Sequence, residues 1–334
     1  MWTDKINTVV KSDALEFIKT LPNESINCCI TSPPYYALRD YGFPEQVGLE
    51  KTYQEYINRL IGIFDEVRRV LKKDGTCFVN LGDSYGGESS KSNAGRAGFG
   101  NDKVGSFLKT LATDNQRMYG ENNFSRLKNK NGSKSLMAIP ARFQIAMIDR
   151  GWLCRNSIIW IKPNAMPESV QDRWKKAHEY IFFFTKSKKY YFNLNAIRTP
   201  HKRVSLDGAE YEQGRNALGI NPSSMGTKSE KYGMPARFVK LNPLGACPPD
   251  YLIVNTNCSS DDIRDNHYAT YPKDLIIPLI KSGSREKDIV YDPFMGSGTT
   301  AVVARLLGRN FMGTELNDDY IKICENRLKQ QILL

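Results

Sequence analysis

The C-terminal part of the chain carries the pattern that most limits its possible folds. From residue 272 to residue 328, apolar periodicity predicts a helix, a strand, a helix, a strand and a helix in succession. The two strands, residues 288–291 and 310–314, are joined through the helix predicted at residues 298–307. Strands connected by a helix lie parallel, and a parallel sheet is covered by helices on its faces. This part of the chain therefore predicts an α/β domain.

The N-terminal part shows the same alternation of strand and helix. Apolar positions at helical spacing make the segment 52–72 the clearest amphipathic helix, and Gly75 is expected to stop it. We expect elements in this order: a helix within residues 8–19, a strand at 26–30, the helix at 52–72, a strand at 76–81, a helix at 140–150 and a strand at 152–161.

Charge is the unusual feature of the composition. The chain has 334 residues and a formal net charge of +11, which indicates a polyanionic partner such as nucleic acid. Its seven cysteines are scattered without a Cys-x-x-Cys pair and its three histidines lie far apart, so no metal site is predicted. The N-terminus lacks a signal-peptide layout and no apolar run approaches bilayer length, so a cytoplasmic protein, on the nucleoid when bound to DNA, is expected.

Two irregular regions interrupt the periodic pattern. Residues 86–132 are rich in Gly, Ser and Asn, and the stretch from Lys91 to Lys134 holds nine basic residues against three acidic ones. Such a segment is either a solvated insertion or a basic arm that contacts a phosphate backbone. Residues 193–265 are also irregular and are a candidate recognition region.

A glycine-rich loop follows the strand at residues 288–291. It reads Asp292-Pro293-Phe294-Met295-Gly296-Ser297-Gly298-Thr299-Thr300, and glycines there let the backbone approach a ligand at the start of a helix. Thr299 stands where a phosphate-binding P-loop needs lysine, which argues against an NTPase. Glu315 ends the next strand, the position from which a carboxylate binds ribose hydroxyls. The two features together predict a cofactor that contains adenosine.

A second loop, Thr31-Ser32-Pro33-Pro34-Tyr35-Tyr36, follows the strand at residues 26–30. Two prolines end the strand and stiffen the loop, because neither can donate to a β-ladder and each restricts its predecessor. The loop presents a hydroxyl, carbonyl oxygens and aromatic faces. By itself it is an ordinary turn.

These motifs together resemble those of the amino-methylating DNA methyltransferases that use S-adenosylmethionine, in the permuted β-class order in which the catalytic loop precedes the cofactor loop. The resemblance rests on the stretches 31–36, 292–300, 313–317 and 267–275, and on Asp13-Ala14-Leu15. It implies a Rossmann-like, mostly parallel sheet with helices on both faces, and S-adenosylmethionine as the cofactor. The cofactor-binding residues that it implies are Asp13, Thr31, Tyr271, Pro272, Asp292, Pro293, Phe294, Gly296, Ser297, Gly298, Thr299, Thr300, Glu315 and Leu316.

The resemblance also implies how the loop at residues 31–36 acts. Ser32 Oγ and the Pro33 carbonyl would accept the N–H groups of a target amine, with Pro34 stiffening the loop and Tyr35 stacking on a flipped base. Tyr36 is either functional or part of the core. Family members with Ser-Pro-Pro tend to methylate N4 of cytosine and those with Asp-Pro-Pro N6 of adenine, so Ser32 favours cytosine, with adenine as the alternative. Methylation at cytosine C5 needs cysteine after proline, and Cys247-Pro248 has the reverse order.

The expected partner is double-stranded DNA, with the enzyme a monomer or weak dimer that acts beside a restriction endonuclease or alone. The basic side chains expected to contact DNA are Lys188, Lys189, Arg198, Lys202 and Arg203. His178-Glu179 is expected to be structural or at the pocket rim. A non-catalytic nucleic-acid-binding protein and an RNA methyltransferase are the alternative functions. The expected division is 1–85 and 136–192 for the catalytic part, 86–135 for the basic insertion, 193–265 for target recognition and 266–334 for cofactor binding.

Overall fold

The computed structural model describes residues 1–38, 42–43, 45–86, 134–201, 242–256 and 271–330. The chain forms two compact units, one of Met1–Phe192 with Asp250–Leu334 and one of Asn193–Pro249. Nearly all of the predicted basic insertion lies outside the described residues, as do Lys202, Arg203 and residues 267–270. Within the described ranges no helix is long and apolar enough to cross a membrane.

One eight-stranded sheet organises the larger unit, in the order β1-β8-β7-β2-β3-β5-β4-β6. The strands are β1 Thr8–Lys11, β2 Ile26–Thr31, β3 Leu71–Leu81, β4 Leu153–Ile161, β5 His178–Thr185, β6 Tyr251–Ile253, β7 Ile289–Asp292 and β8 Asn310–Glu315. All neighbouring pairs are parallel except the two that β5 makes, with β3 and with β4. The prediction of a mostly parallel α/β sheet is confirmed.

Helices cover both faces of this sheet. They are α1 Ala14–Lys19, α2 Tyr53–Val70, α3 Ile139–Asp149, α4 Lys273–Gly283, α5 Thr299–Leu306 and α6 Asp318–Gln330. Successive side chains of a strand point to opposite faces. In β2, Cys29 accordingly packs in the core that α1, α2 and α3 cover, whereas Cys28 and Ile30 pack in the core that α4, α5 and α6 cover. The sheet is therefore buried on both sides.

Two of the predicted elements differ from the structure. Thr8–Lys11 is a short edge strand rather than part of the first helix, because it pairs with β8 and the helix starts only after the N-cap Asp13. The helix predicted to reach residue 72 ends at Val70, and β3 begins directly at Leu71. Gly75 lies inside β3, where an added Cβ would come within 2.6 Å of the Leu71 side chain, so close packing and not helix termination requires the glycine.

The strand order contains a switch point between β2 and β7. The chain leaves β2 through α2 to reach β3 on one side, and leaves β7 through α5 to reach β8 on the other. In open parallel sheets, ligands bind in the crevice outside the carboxyl ends of strands at such a point. Thr31 ends β2 and Asp292 ends β7, so the two predicted loops start side by side.

Candidate active site

The loop after β7 carries two glycines that serve different purposes. Gly296 has φ +54°, and no heavy atom lies within 4 Å of where its Cβ would stand, so a ligand can approach its backbone closely. Gly298 has φ +84°, and an added Cβ would lie 2.0 Å from Cys324 Sγ in α6. Packing of α5 against α6 therefore requires Gly298, which is not among the residues that line the cavity described below.

Glu315 shapes this loop from the end of β8. Its Oε2 accepts a hydrogen bond from the Gly296 N–H at 2.9 Å, and its Oε1 accepts from the N–H groups of Leu316 and Asn317, each at 2.9 Å. Burial raises its pKa above the ordinary value. Oε2 can accept a further hydrogen bond, and the side chain lines the cavity, so the residue fits a ribose hydroxyl.

Asp292 joins the two loops from a fully buried position. Its Oδ1 accepts from Thr31 Oγ1 at 2.5 Å and from the Phe294 N–H at 3.0 Å, and its Oδ2 accepts from Thr300 Oγ1 at 2.6 Å and from Tyr271 Oη at 3.0 Å. Burial raises the pKa of this carboxyl. Thr31, Asp292 and Thr300 lie behind the cavity wall, so they position the loops instead of facing a ligand.

Most of the remaining predicted cofactor residues line the cavity, and one supports its wall from behind. Tyr271 lines the cavity, whereas Pro272 is a buried N-cap of α4 behind it. Asp13 caps α1 by accepting from the N–H groups of Leu15 and Glu16, and it also lines the cavity. The other predicted wall residues that the structure brings to the cavity are Pro293, Phe294, Gly296, Ser297, Thr299, Glu315 and Leu316.

Sequence reasoning missed Arg327, which holds the cofactor loop from α6. Its Nη1 donates to the Ser297 carbonyl at 2.9 Å, to Ser297 Oγ at 3.0 Å and to Thr299 Oγ1 at 3.2 Å. A cation thirty positions along the chain has no sequence signal that connects it with this loop. Its place shows that the end of α6 braces the start of α5.

The loop after β2 is fixed by side chains from three other elements. Tyr56 in α2 donates to the Pro34 carbonyl at 2.8 Å. Tyr35 Oη donates to Glu179 Oε2 at 2.6 Å, and burial together with that carboxylate raises the pKa of Tyr35 well above its ordinary value. Asn80 at the end of β3 donates through Nδ2 to Ser32 Oγ at 3.4 Å, Tyr35 Oη at 2.8 Å and Glu179 Oε2 at 2.9 Å.

Glu179 is the centre of this second network. It is 8% exposed, lines the cavity and forms an ion pair with Lys162, whose ammonium lies 4.2 Å from the centroid of the Trp160 ring. His178, by contrast, is exposed. Asn80, Lys162 and Trp160 were not predicted as site residues, because three strands that are distant in sequence bring them together.

A single cavity of about 760 Å³ adjoins both networks, a size typical of small-molecule and cofactor sites. Ser32, Pro33, Pro34 and Tyr35 line one part of it and the cofactor loop lines another, so groups bound at the two loops can meet. Tyr36 does not line the cavity. It packs in the core with its ring centroid 5.5 Å from that of Tyr56.

The predicted DNA contacts are not all near this cavity. Lys188 and Lys189 are exposed in the turn after β5. Because β5 runs antiparallel to β3, with Thr185 opposite Thr76, that turn lies near the amino end of β3. The cavity lies at the other end of the strands, beyond their carboxyl ends. The geometry therefore does not support these two lysines as contacts beside the target base. Arg198 belongs to the smaller unit, where it donates to the Gly245 carbonyl at 2.9 Å.

An open α/β sheet with a glycine loop and a strand-end carboxylate at its switch point is typical of enzymes that bind a cofactor containing a nucleoside. The family comparison makes this specific. A family model described as DNA methylase, of the N6/N4 type, matches residues 26–326, and the chain belongs to that family. It is a DNA methyltransferase, and its cofactor is S-adenosylmethionine.

The chain is similar in sequence to named methyltransferases and similar in fold to solved structures. The chain is 35% identical to the Type II methyltransferase M.Cfr9I of Citrobacter freundii, over 96% of this chain and 87% of that protein. It is 33% identical to M.SmaI of Serratia marcescens, over 96% and 90%. The fold resembles that of PvuII DNA methyltransferase (cytosine-N4-specific), with a TM-score of 0.60 and 19% identity over 97% and 88% of the two chains. It also resembles TTHA0409 of Thermus thermophilus in complex with S-adenosyl-L-methionine, with a TM-score of 0.54 and 20% identity over 97% and 94%.

Proposed function

We propose that the protein methylates the exocyclic N4 amine of a cytosine flipped out of duplex DNA. The observation that carries the proposal is the position of Ser32, a neutral hydroxyl in the same cavity as the cofactor loop. A cytosine amine is a poor nucleophile because its lone pair is delocalised into the ring. Acceptors for its two N–H groups favour a pyramidal nitrogen and stabilise the positive charge that grows during attack.

Ser32 and Pro33 supply these acceptors in the proposed mechanism. A serine oxygen has two lone pairs, and the Asn80 amide occupies one of those on Ser32, which leaves the other for the amine. The Pro33 carbonyl accepts the second N–H. S-adenosylmethionine, when bound, supplies an electrophilic sulfonium methyl. The loop contributes orientation and charge stabilisation. The amine nitrogen would bond to the methyl carbon as the bond from that carbon to sulfur breaks, the sulfur would keep the electron pair, and one amine proton would then pass to water.

Tyr35 and the cofactor wall complete the proposed roles. The Tyr35 hydroxyl is held by Glu179 and Asn80, so its ring is fixed on the cavity wall and can stack on the flipped base. Glu315, Asp13 and the Gly296 backbone would hold the nucleoside part of the cofactor. Asp292, Thr31 and Thr300 would set the distance between the two loops.

Methyl transfer from labelled cofactor to duplex DNA, followed by nucleoside analysis, tests the proposal. N4-methylcytosine is the expected product, and N6-methyladenine as the sole product would replace the proposal with the other activity of the family. The variant Ser32→Ala should lose about a hundredfold or more in kcat, as when one oxyanion-type contact is removed, while calorimetry shows unchanged cofactor affinity. Full activity of this variant would overturn the mechanism.

We further propose that the irregular region 193–265, with Arg198, reads the target sequence. Its basic side chains suit phosphates and guanine edges. The relatives named Type II methyltransferases support a modification role beside a restriction endonuclease. Sequencing of DNA from cells that express the protein would identify the methylated site, and exchange of this region with that of a relative should change it.

A further inference from the structure

The segment between β4 and β5, residues 162–177, forms a braced loop, hereafter the β4–β5 loop. Its ends meet where the Lys162 N–H donates to the Ala177 carbonyl at 2.8 Å. Arg173 Nη1 donates to Glu168 Oε2 at 2.6 Å, and Lys175 Nζ donates to the Ala165 carbonyl at 3.3 Å. The loop is therefore held across its width as well as at its base.

This braced loop exposes large apolar side chains. Trp174 is 94% exposed and Met166 is 84% exposed. Two other tryptophans of the chain, Trp152 and Trp160, are only 1% and 3% exposed. Tryptophan is on average a highly buried residue, since its indole is the largest apolar side chain. A rigid support that keeps one in water suggests a ligand that covers it.

The loop lies at the cavity that receives the target base. Five of its residues line that cavity: Lys162, Ala165, Met166, Glu168 and Lys176. The two neighbours of Trp174 in sequence hydrogen-bond to two of these five, because Arg173 binds Glu168 and Lys175 binds Ala165. Trp174 thus belongs to the rim of the cavity without lining it.

The charge of the β4–β5 loop, four basic residues against two acidic ones, favours a polyanionic ligand. Cationic residues flank Trp174 on both sides, Arg173 before it and Lys175 and Lys176 after it. Arg173 also lies over the Tyr85 ring, 3.9 Å from its centroid, which adds to the bracing. Cations beside an exposed aromatic ring combine phosphate attraction with a stacking surface, the arrangement by which proteins hold unstacked nucleic acid.

We infer that Trp174 enters the duplex beside the target and fills the gap that the flipped base leaves. This inference rests on the proposed action on a flipped base. Flipping removes the stacking of one base on its neighbours, which costs free energy. An indole inserted from a rigid loop replaces that stacking and loses little conformational freedom, as apolar wedges do in proteins that open or kink DNA.

Kinetics on two duplexes test the wedge. Both contain the site found by sequencing, one fully paired and one with an abasic position opposite the target base. Trp174→Ala should lower kcat/KM about tenfold on the paired duplex, because base–aromatic stacking is worth about 1–3 kcal/mol. It should lower kcat/KM less than twofold on the abasic duplex, because a base opposite an abasic position leaves the stack at little cost and the indole has less stacking to replace. Trp174→Phe, which keeps a stacking ring, should lose less than threefold on the paired duplex.

Leu306→Ala is the matched control, since Leu306 is another exposed large apolar residue, at the end of α5 away from the cavity. It should match the wild type on both duplexes. An equal loss of kcat/KM on both duplexes for Trp174→Ala, or no loss on either, would overturn the wedge. A smaller oligomer in the sedimentation of Trp174→Ala than in that of the wild type would also overturn it, because Trp174 would then be a contact between copies of the chain.

A binding measurement separates the wedge from the choice of base. DNA should quench part of the tryptophan fluorescence of the wild type, and that part should be missing in Trp174→Phe. Quenching that persists unchanged in Trp174→Phe would contradict insertion. If nucleoside analysis finds N6-methyladenine, the proposed cytosine specificity fails, and the loss of quenching still reports on Trp174 separately.

Discussion

The two ends of the cavity are each built around a buried carboxylate, but the partners of the two carboxylates differ. Asp292, at the cofactor end, accepts four hydrogen bonds from three hydroxyls and one backbone N–H. Glu179, at the target-base end, is paired with the ammonium of Lys162 and accepts from Tyr35 and Asn80. Both carboxylates accept from neutral donors, but only Glu179 also has a cationic partner, Lys162.

The variant Asp292→Ala should have the largest effect on stability, because it removes the carboxylate that joins the two loops at the cofactor end of the cavity. It would leave the Phe294 N–H and the Thr31 hydroxyl without their acceptor, and the hydroxyls of Thr300 and Tyr271 with only the hydrogen bond between them. We expect the free energy of unfolding to fall by about 3 kcal/mol, as for other losses of a buried hydrogen-bond network. Chemical denaturation measures this loss, and cofactor binding should weaken with it.

Asp292→Asn is the matched control for this prediction. The Asn oxygen can accept from Thr31 and Phe294, and its amide can donate to the hydroxyls of Thr300 and Tyr271, which can act as acceptors. Most of the stability should therefore remain. Equal destabilisation by the Ala and Asn variants would show that charge, and not hydrogen-bond geometry, holds the two loops together.

Glu179→Gln should have the next largest effect, and this effect should be confined to the end of the cavity where we propose that the target base binds. Donors surround both carboxylate oxygens, Lys162 on one side and Asn80 on the other, so the amide nitrogen of the variant must face a donor in either orientation. The resulting shift of Asn80 should misplace Ser32. We expect kcat to fall about tenfold, in proportion to the lost positioning, with an unchanged cofactor dissociation constant by calorimetry.

Glu16→Gln serves as the comparison for this variant, because Glu16 also forms an ion pair, with Lys19, but is exposed on α1 and does not line the cavity. Its kcat should stay near the wild-type value. A parallel loss of cofactor affinity in Glu179→Gln would show that the two ends are not separable.

Acidification should change cofactor affinity and the free energy of unfolding in opposite directions. Burial raises the pKa of Asp292 and of Glu315 above their ordinary values. As the pH falls from about 7, Glu315 should protonate earlier than a free carboxyl and lose acceptor capacity, so cofactor affinity should drop. Over the same range the native state binds these protons more readily than the unfolded state, so the two groups contribute a rise in the free energy of unfolding.

Calorimetry and denaturation at matched pH values measure these opposite trends. Glu315→Gln should lose most of the pH dependence of cofactor binding. If that variant binds the cofactor with the wild-type pH profile, another group is responsible for the titration.

The smallest expected effect is that of Lys188→Ala with Lys189→Ala. These lysines lie at the end of the sheet opposite the cavity, so the dissociation constant for duplex DNA should rise less than twofold. Lys175→Ala, beside Trp174, should weaken binding more and reduce its salt dependence, because one phosphate contact is lost. Fluorescence anisotropy at two salt concentrations measures both dissociation constants. A larger loss of affinity in the Lys188 and Lys189 variant than in Lys175→Ala would show that DNA binds at the end of the sheet opposite the cavity.

Much of this arrangement could be predicted from local sequence patterns. The helices and strands of the last sixty or so residues follow from apolar periodicity, and their observed bounds differ from the prediction by one or two residues. The loops at Thr31–Tyr36 and at Asp292–Thr300 could be found because prolines and glycines have strong local effects on the backbone. The short strand β1 could not, since four residues at a sheet edge carry too little periodicity.

The sequence by itself determined most of the order of strands and helices, the chemistry of the two loops and the family, because these depend on residues that are neighbours along the chain. Only the tertiary structure decided that Thr31 binds Asp292, that Glu179 and Asn80 hold Ser32 and Tyr35, and that Lys188 lies away from the cavity. The physical reason is strand direction and register. Because β5 runs antiparallel to β3 and β4, its first residues place Glu179 at the carboxyl ends of those two strands, and its last residues lead to the lysines at the opposite end of the sheet.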